Sequence, residues 1–459
     1  MSEPGPSRRV PLWKRISSPP PIRADYTASQ PPSGNTDKRR KRKRPDRNSP
    51  PREMLFTPWM DLCGEQYAKC DTVMDRLHYE ILAYEQYMAP TPEEAEARTR
   101  THTLITNALR DLPCVGELRL FGSSAIDLVT PTSDLDMVNS NPRLAHAGPA
   151  AAIDALWAIG RRLRQRGIVQ DFNVNKWARV PIITFSTRPE FGPFDVDIGI
   201  NNTDGLDGVL VMRHFLDTMP ALRPLLLVLK RFLSQRDLGS AAKSGLGGYG
   251  LMCLLVAFLK NNPGGRPQSY FDTPHEELSL GVILMDFFSF YGTTFNYEEL
   301  YISPEEGVFR PKADALDWIG EKAQYRLVIK CPVTPGHDVA RSAGRTAQIV
   351  EAFKGGLSLL EHASPPNETV LGPLIGVPQK VVDRRRCLKT LMDSGGYGRN
   401  DAAPHYDDGP RPRQNERPPA SRRRYSPPRD RRDYRPNEHI PSQQSRRPYQ
   451  HLRRGRRDG

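Results

Sequence analysis

Two segments of the chain carry pairs of aspartates inside apolar runs. Asp134 and Asp136 lie in SDLDMV, and Asp195 and Asp197 lie in FDVDIGI. Residues two apart on a strand project from the same face, so each pair concentrates negative charge. Burying such a pair without a counter-charge is costly, and a divalent cation removes that cost. Carboxylate oxygens suit Mg²⁺ or Mn²⁺, so the spacing predicts a metal-binding site.

Carboxylates from two adjacent strands would act together in catalysis. Asp134, Asp136 and Asp197 would hold two metal ions, which bind a triphosphate and lower the pKa of an attacking hydroxyl. The turn Gly122-Ser123 precedes the first pair. Glycine allows a close backbone approach, and exposed amides with a hydroxyl suit phosphate oxygens. A strand edge with solvated acids is the alternative, but the apolar residues between the acids argue against full exposure.

Helices and strands must position these acids. A Thr-Pro start followed by two acids predicts a helix at Thr91–Leu109, and alternating apolar residues predict strands. The strands are expected at 116–122, 134–138, 169–174, 180–185 and 194–200, and further helices at 59–88, 150–166, 209–235, 250–261, 277–291 and 338–360. This order predicts an α/β plus α fold, in which a small mixed sheet with helices on one face is followed by a mostly helical unit. A cleft between two such units is a usual ligand site.

Composition predicts basic tails on both sides of this body. The chain has 459 residues and a net charge of +13, and residues 1–54 contain 14 Lys and Arg against 5 Asp and Glu. Residues 401–459 contain 16 Arg against 8 acids. Such Pro-rich, basic segments bury too little apolar surface to fold, which predicts disorder. The expected parts are a tail at 1–54, a catalytic domain at 89–206, a helical central domain from 55–88 and 207–362, and a tail at 363–459.

Both tails carry motifs for anionic partners. KRRKRKRP at Lys38–Pro45 is typical of a nuclear-localisation signal or a nucleic-acid patch, with a solubilising run as the alternative. SRRRYSPPRDRRDYRP at Ser421–Pro436 combines Arg, which contacts phosphate, with Tyr, which stacks on bases; a generic disordered end fits equally. The six cysteines form no Cys-x-x-Cys pair, and no signal peptide is visible. No apolar run reaches about 18 residues, and we expect an intracellular, reducing setting.

Longer motifs indicate a known family. FGSSAIDLVTPTSDLDMV followed by VDIGINN resembles the nucleotidyltransferase superfamily, which has Gly-Ser, a spacer, Asp-x-Asp and a distant third Asp. Four later segments resemble, in order, helices of the DNA polymerase sigma-type RNA nucleotidyltransferases, and in particular the nuclear poly(A) polymerases of TRAMP complexes. These are LLLVLKRFLSQRDL, GLGGYGLMCLLVAFLK, LGVILMDFFSFYGTTFNYEEL and PVTPGHDVARSAGRTAQIVEAF. The resemblance covers roughly residues 55–360, without the tails.

The resemblance implies roles for individual residues. Asp134, Asp136 and Asp197 match the metal-binding triad, and Asp197 also matches the base that acts on the RNA 3′-hydroxyl. The implied nucleotide-binding residues are Gly122 and Ser123 at the triphosphate, Lys230 at the γ-phosphate, Asn201 at the ribose, Tyr249 on the base, and His337 and Asp338 in the nucleotide-recognition segment. A solvated lysine and a core aromatic are the alternatives for Lys230 and Tyr249.

The resemblance also implies an activity and its setting. The activity would be template-independent addition of AMP from ATP to RNA 3′ ends, with Mg²⁺ or Mn²⁺ as cofactor. The implied partners are RNA, a zinc-knuckle RNA-binding protein and an RNA helicase, in a TRAMP-like complex in which this chain is a monomeric subunit. The implied location is the nucleus, with the nucleolus as a narrower alternative, and no membrane is involved.

Three departures from the family pattern leave alternatives open. Gly248 stands where relatives have a Ser on phosphate, and Cys331 stands where they commonly have Asp. His337 stands where adenylating relatives have Asn, and resembles the uridylyltransferase branch. We expect ATP, with UTP as the alternative. A catalytically decayed RNA-binding scaffold and a DNA polymerase are further alternatives, although the intact acids argue against decay.

Overall fold

The computed structural model describes residues 55–126, 128–178, 180–201, 203–320, 323–363 and 369–398. The tail segments 1–54 and 401–459, with the basic motifs at Lys38–Pro45 and Ser421–Pro436, lie outside the described residues. Within the described ranges, none of the helices combines the length and the apolar composition that crossing a bilayer requires.

Nine strands and thirteen α-helices are formed by the described residues. The strands are β1 Leu55–Phe56, β2 Glu117–Leu120, β3 Leu135–Ser140, β4 Val169–Asn175, β5 Ile182–Thr187, β6 Asp195–Ile200, β7 Leu300–Ser303, β8 Val308–Pro311 and β9 Val377–Pro378. The helices are α1 Gly64–Ala68, α2 Val73–Met88, α3 Pro92–Leu109, α4 Pro142–Ala145, α5 Gly148–Gln165, α6 Thr203–Thr218, α7 Leu222–Ser234, α8 Gly248–Asn261, α9 Ser269–Asp272, α10 Leu280–Ser289, α11 Leu316–Ile319, α12 Thr346–Glu361 and α13 Gln379–Asp393.

The central sheet has the order β2-β3-β6-β5-β4 and is mixed, since β3 and β6 run parallel while the other pairs are antiparallel. Alternation along β6 buries Val196 and Ile198 in a core formed with α3 and α5. The intervening Asp195 and Asp197 therefore project from the opposite face. The predicted mixed α/β plus α fold, with helices on one sheet face, is confirmed.

Helix α3 begins as its sequence predicts. The Thr91 hydroxyl accepts from the Glu94 amide at 3.3 Å, and the Glu94 carboxylate accepts from the Thr91 amide at 2.9 Å. This reciprocal capping box satisfies two amides that a helix start leaves without partners.

A second core belongs to the helical unit. Its largest buried side chains include Phe232, Phe287, Phe288 and Phe353, contributed by α7, α10 and α12. The expected single helix at 209–235 is wrong, because the chain breaks at Pro220 and forms α6 and α7. Proline lacks the amide that would continue the helix. The helix expected at 338–360 begins only at Thr346, and the preceding residues form a loop.

Helix α13 lies in a segment that the sequence analysis assigned to the C-terminal tail, so that assignment is wrong for residues 369–398. Val381 is buried in the helical core and Leu388 in the sheet core, so one helix closes both cores. The preceding β9 pairs antiparallel with β1, which joins the two ends of the described chain. Only Val381 and Leu388 are buried on α13, and most of its other residues are charged or polar. The sequence therefore lacks the apolar pattern that would predict a packed helix.

Candidate active site

The acid face of the sheet brings the predicted carboxylates together. Asp136 on β3 is paired in register with Asp197 on the parallel strand β6, and Asp134 immediately precedes β3. Asp195 lies two residues before Asp197, and its Oδ1 accepts a hydrogen bond from Ser186 Oγ at 2.5 Å. Four carboxylates therefore lie on or beside two neighbouring strands.

The charges of these acids oppose one another. Burial, together with the negative charges of Asp134 and Asp197, raises the pKa of Asp136 to about 6. Burial also raises the pKa of Asp197 to about 6, reinforced by Asp134 and Asp195. The pKa of Asp134 is raised by burial and by Asp195. Positive charge placed among these carboxylates would therefore stabilise their ionised forms.

Lys230 on α7 supplies part of that positive charge. Its ammonium group lies across the cleft from the acids, where the charges of Asp136 and Asp134 favour its protonated form. Burial acts in the opposite direction and lowers the pKa of Lys230 overall.

The turn beside the acids requires glycine. Gly122 has a φ of +55°, and a Cβ there would lie 2.8 Å from Asp136 Oδ2. Its helical turn, Gly122–Ala125, follows β2 directly. Because a side chain at Gly122 would collide with the Asp136 carboxylate, the turn requires glycine at this position.

The cleft between the sheet and the helical unit has two lobes, with volumes of about 320 and 340 Å³. Ser123, Asp136, Lys230 and Gly248 line both lobes. Gly248 is the first residue of α8, whose first-turn amides have no partners within the helix. A lysine and a helix N-terminus facing acids across a cleft form an arrangement suited to a polyphosphate with bound cations.

Tyr249 lies beside Gly248 and lines the second lobe with apolar side chains, including Met212 and Met252. Its hydroxyl lies 4.0 Å from Cys331 Sγ in the predicted nucleotide-recognition segment. The ring therefore lies in the apolar lobe of the cleft, beside the first turn of α8. The sequence expectation for Tyr249 as a stacking residue stays a prediction.

Asp338 is engaged inside the nucleotide-recognition segment. Its Oδ1 accepts from the amides of Ile329 and Ala340 at 3.0 and 2.9 Å, and Arg326 pairs with Oδ2 at 3.0 Å. This carboxylate shapes the loop that carries His337, and its expected role in nucleotide binding stays a prediction.

The side chain of Asn201 also has a structural role. Its Oδ1 accepts from the amide of Asn141 at 2.8 Å, and its Nδ2 donates to the Asn141 carbonyl at 3.0 Å. Both polar atoms are therefore used within the protein, and Asn201 lines neither lobe of the cleft. The expected ribose contact stays a prediction.

Sequence reasoning missed two arginines beside the acids. Arg98 on α3 is buried and donates to the carbonyls of Thr130, Ser133 and Asp134. The charge of Arg384 on α13 offsets part of the rise in the pKa of Asp134 that burial and Asp195 cause. A signal for Arg98 existed, because it falls on the buried stripe of the predicted helix, where a charged residue needs a partner.

The carboxylates fit divalent cations by their chemistry. Hard oxygen donors and the crowded negative charge favour Mg²⁺ or Mn²⁺. Among the described residues, however, no three His, Cys, Asp or Glu side chains are already arranged around one metal position. Mg²⁺ sites of this kind are commonly completed by substrate phosphates and water, which fits a site that assembles on nucleotide binding.

Comparison with known proteins shows that parts of the chain are similar to poly(A) RNA polymerases. Residues 77–217 match the family model "Poly(A) RNA polymerase, mitochondrial-like, central palm domain", and residues 279–337 match "Cid1 family poly A polymerase". The "Poly(A) RNA polymerase protein 2" of Saccharomyces cerevisiae is 30% identical over 313 residues, which is 68% of this chain and 52% of that protein. The "Poly(A) RNA polymerase cid14" of Schizosaccharomyces pombe is 32% identical over 326 residues, which is 71% of this chain and 45% of that protein.

A solved structure agrees with these matches. It is described as "the polymerase core of TRAMP, a RNA surveillance complex", and it is 28% identical with a TM-score of 0.60. The match covers 69% of this chain and 98% of that one. The chain spans about half the length of the curated relatives it matches. The chain therefore matches a poly(A) RNA polymerase central palm domain and a Cid1-family poly(A) polymerase domain, and over these parts it is similar to the poly(A) RNA polymerases named above.

Proposed function

We propose that this chain is a template-independent RNA 3′-end nucleotidyltransferase that joins AMP from ATP to RNA and releases pyrophosphate. One observation carries the proposal: Asp136 faces Asp197 across β3 and β6, with Lys230 and the start of α8 on the other side of the cleft. The relatives named poly(A) RNA polymerases support the choice of reaction.

The carboxylates of Asp134, Asp136 and Asp197 would hold the divalent cations together with the substrate triphosphate. Bound Mg²⁺ or Mn²⁺ would stabilise the charge that develops in phosphoryl transfer. Asp197 would accept the proton of the RNA 3′-hydroxyl, and a pKa of about 6 suits a base that works near neutral pH. The 3′-oxygen bonds to the α-phosphorus as the bond to the β-phosphate oxygen breaks. Pyrophosphate then leaves with the electron pair.

The remaining groups would orient the nucleotide. Lys230 and the first-turn amides of α8 would carry negative charge on the leaving phosphates. Gly122 and Ser123 would hold the phosphates from the sheet side. Tyr249 would stack on the base, which provides binding with little discrimination between bases.

The biological setting is proposed by similarity. Similarity to the polymerase core of TRAMP, an RNA surveillance complex, supports a role in such a complex. We propose a nuclear role in marking RNA for decay, with a zinc-knuckle RNA-binding protein and an RNA helicase as partners. The basic motif at Lys38–Pro45 is in keeping with nuclear import.

The test is extension of a labelled single-stranded RNA with each ribonucleoside triphosphate or dATP supplied separately, in Mg²⁺ and in Mn²⁺. We expect a ladder with ATP for the wild type and none for Asp134→Ala/Asp136→Ala. Melting curves of the variant, run in parallel, exclude unfolding as the cause. RNA binding without extension by the wild type in any lane would instead favour a decayed scaffold.

UTP is the second candidate substrate, and His337 is the observation that favours it. His337 lies in the loop shaped by Asp338, directly before that residue, and its backbone carbonyl accepts from Cys331 at 2.9 Å. If His337 selects the base, His337→Asn will raise the ratio of ATP to UTP incorporation. An unchanged ratio would remove His337 from base selection.

A further inference from the structure

Helix α13 reaches the acid site although it lies outside both family-model matches. The guanidinium carbon of Arg384 lies 5.0 Å from the centroid of the Phe194 ring. Phe194 is buried and directly precedes Asp195 at the start of β6. A side chain from α13 therefore contacts the residue that directly precedes the second pair of acids, Asp195 and Asp197.

Arg384 is poorly explained as a folding element. Its Nε and Nη2 atoms are buried, and neither has a hydrogen-bond partner within the described residues. Burial lowers the pKa of Arg384, whereas the negative charges of Asp195, Glu94 and Asp134 favour its charged form. A buried guanidinium that leaves donors unused weakens the fold, so its position beside the acids needs another explanation.

Arg98 shares the same aromatic ring. Its guanidinium carbon lies 5.2 Å from the Phe194 centroid, and its nitrogens hold three carbonyls of the loop 130–134. Ser124 Oγ adds a hydrogen bond to the Asp134 carbonyl at 3.0 Å. The position of Asp134 is therefore coupled through Arg98 and Phe194 to the position of Arg384.

Specific contacts fix α13 in this place. Arg385 pairs with Glu94 at 3.1 Å and donates to the carbonyls of Tyr87 and Ala89 at 2.6 and 2.8 Å. Leu388 packs in the core beneath the sheet. Since Glu94 lies one helical turn before Arg98 on α3, docking of α13 sets the spacing between Arg384, Phe194 and Arg98.

We propose that Arg384 is a positioning residue for the nucleotidyl transfer: with Arg98 it holds Phe194, the start of β6 and the Asp134 loop, so that docked α13 completes the active site. The proposal rests on the proposed function for its kinetic consequence. Its structural consequence, a fixed acid loop, is independent of the reaction.

The experiment compares full-length wild type with Arg384→Gln, Arg384→Lys and the control Arg386→Gln. Arg386 lies on the same helix, but its side chain is 72% exposed and pairs with Asp383 at 3.6 Å. The first readout is kcat and KM for ATP in RNA extension. The second is amide hydrogen exchange, measured without nucleotide, in peptides that cover 128–136 and 194–198.

A positioning role predicts that Arg384→Gln lowers kcat by about tenfold or more, while KM for ATP changes by less than about threefold. Exchange should rise in the two peptides near the acids and stay unchanged in α8 and α12. Arg384→Lys should recover part of kcat because it retains the charge, and Arg386→Gln should behave as wild type.

Two results would overturn the inference. One is unchanged kcat with unchanged exchange near the acids. The other is faster exchange throughout the sheet and α13, which would assign Arg384 a general structural role. If the wild type does not extend RNA, the proposed function fails, while the exchange data still decide whether Arg384 fixes the acid loop.

Discussion

Single residues in the acid site combine two opposed requirements. Asp136 must be ionised to hold a cation, yet burial and the charges of Asp134 and Asp197 raise its pKa to about 6. The folded state thus holds this proton more tightly than the unfolded state does. The free energy of unfolding therefore falls as the pH rises from about 4 to about 6, and it stays lowered above that range.

Removing the charge should reverse this effect. In EDTA at pH 7.5 we expect Asp136→Asn to be more stable than wild type by about 1–2 kcal/mol, and the difference should vanish near pH 4. Denaturant unfolding at both pH values measures it. Asp154→Asn, an exposed position on α5, is the control. A less stable Asp136→Asn variant at pH 7.5 would contradict the charge argument.

Gly248 offers a gain of function at the same scale. A Cβ at Gly248 would lie 3.8 Å from Lys230 Cε, which is ordinary van der Waals contact, so serine fits at the start of α8. We expect Gly248→Ser to lower KM for ATP about threefold to tenfold, because its hydroxyl adds one hydrogen bond to phosphate. Steady-state extension kinetics measure this change.

Gly355→Ser is the matched control, because Gly355 has open space around it and lies on α12. It should leave KM unchanged. A Gly248→Ser enzyme with unchanged or raised KM would show that the phosphates do not lie against the first turn of α8.

At the scale of secondary-structure elements, the sequence predicted those helices and strands whose signals lie within a few neighbouring residues. The capping residues fixed the start of α3, and the alternation around Asp197 fixed β6. Alternation also placed the acids opposite the apolar face, so the core of the site followed from the pattern. The hydrogen bonds of Asn201 could not be predicted, because its partner, Asn141, lies sixty residues away in the chain.

Helix α13 was missed for a related reason. Its buried residues are Val381 and Leu388, and Arg384 between them looks like a solvent-facing charge until the packing is known. The charge partners of Arg384 are distant in sequence, so composition indicated a tail where tertiary contacts form a helix. Active-site residues of this kind emerge only from the three-dimensional arrangement.

Glu80 joins segments near the two ends of the described chain by hydrogen bonds. Its buried carboxylate accepts from Tyr67 Oη at 2.9 Å and from the amides of Val370 and Leu371 at 2.6 and 3.0 Å. Trp59 Nε1 and the Thr369 hydroxyl also donate to it. This one side chain therefore links α2 to the segments that precede α1 and α13.

We expect Glu80→Gln to lower the free energy of unfolding by about 2–4 kcal/mol. Glutamine replaces one acceptor oxygen with an NH2 group, which cannot accept the hydrogen bonds that this oxygen accepts. Glu96→Gln is the control, since the Glu96–Arg100 pair is exposed and should change stability by less than about 0.5 kcal/mol. Equal unfolding midpoints for the two variants would contradict this role of Glu80.

At the scale of the whole molecule, positive charge lies mainly outside the described body. Residues 1–54 and 401–459 carry all of the excess of Arg and Lys, and the body between them is slightly acidic. An acidic body with an acid-lined cleft attracts an RNA backbone poorly. We therefore assign much of the RNA affinity to the tails or to a partner protein.

Deleting both tails while retaining α13 should weaken RNA binding and reduce its dependence on salt, because fewer counterions are released from the RNA. Fluorescence anisotropy with a single-stranded RNA over a series of salt concentrations measures both quantities. The proposal for the tails would be abandoned if the body bound RNA with the affinity and salt dependence of the full chain.

The most direct test of the account counts bonds made and broken. Full-length protein is incubated with ATP and either an RNA that ends in a 3′-hydroxyl or the same RNA ending in a 3′-deoxyribose. We predict one pyrophosphate released for each AMP joined to the hydroxyl-ended RNA, and neither product with the blocked RNA. AMP joined equally to the blocked RNA, or no AMP joined to either RNA, would contradict the account.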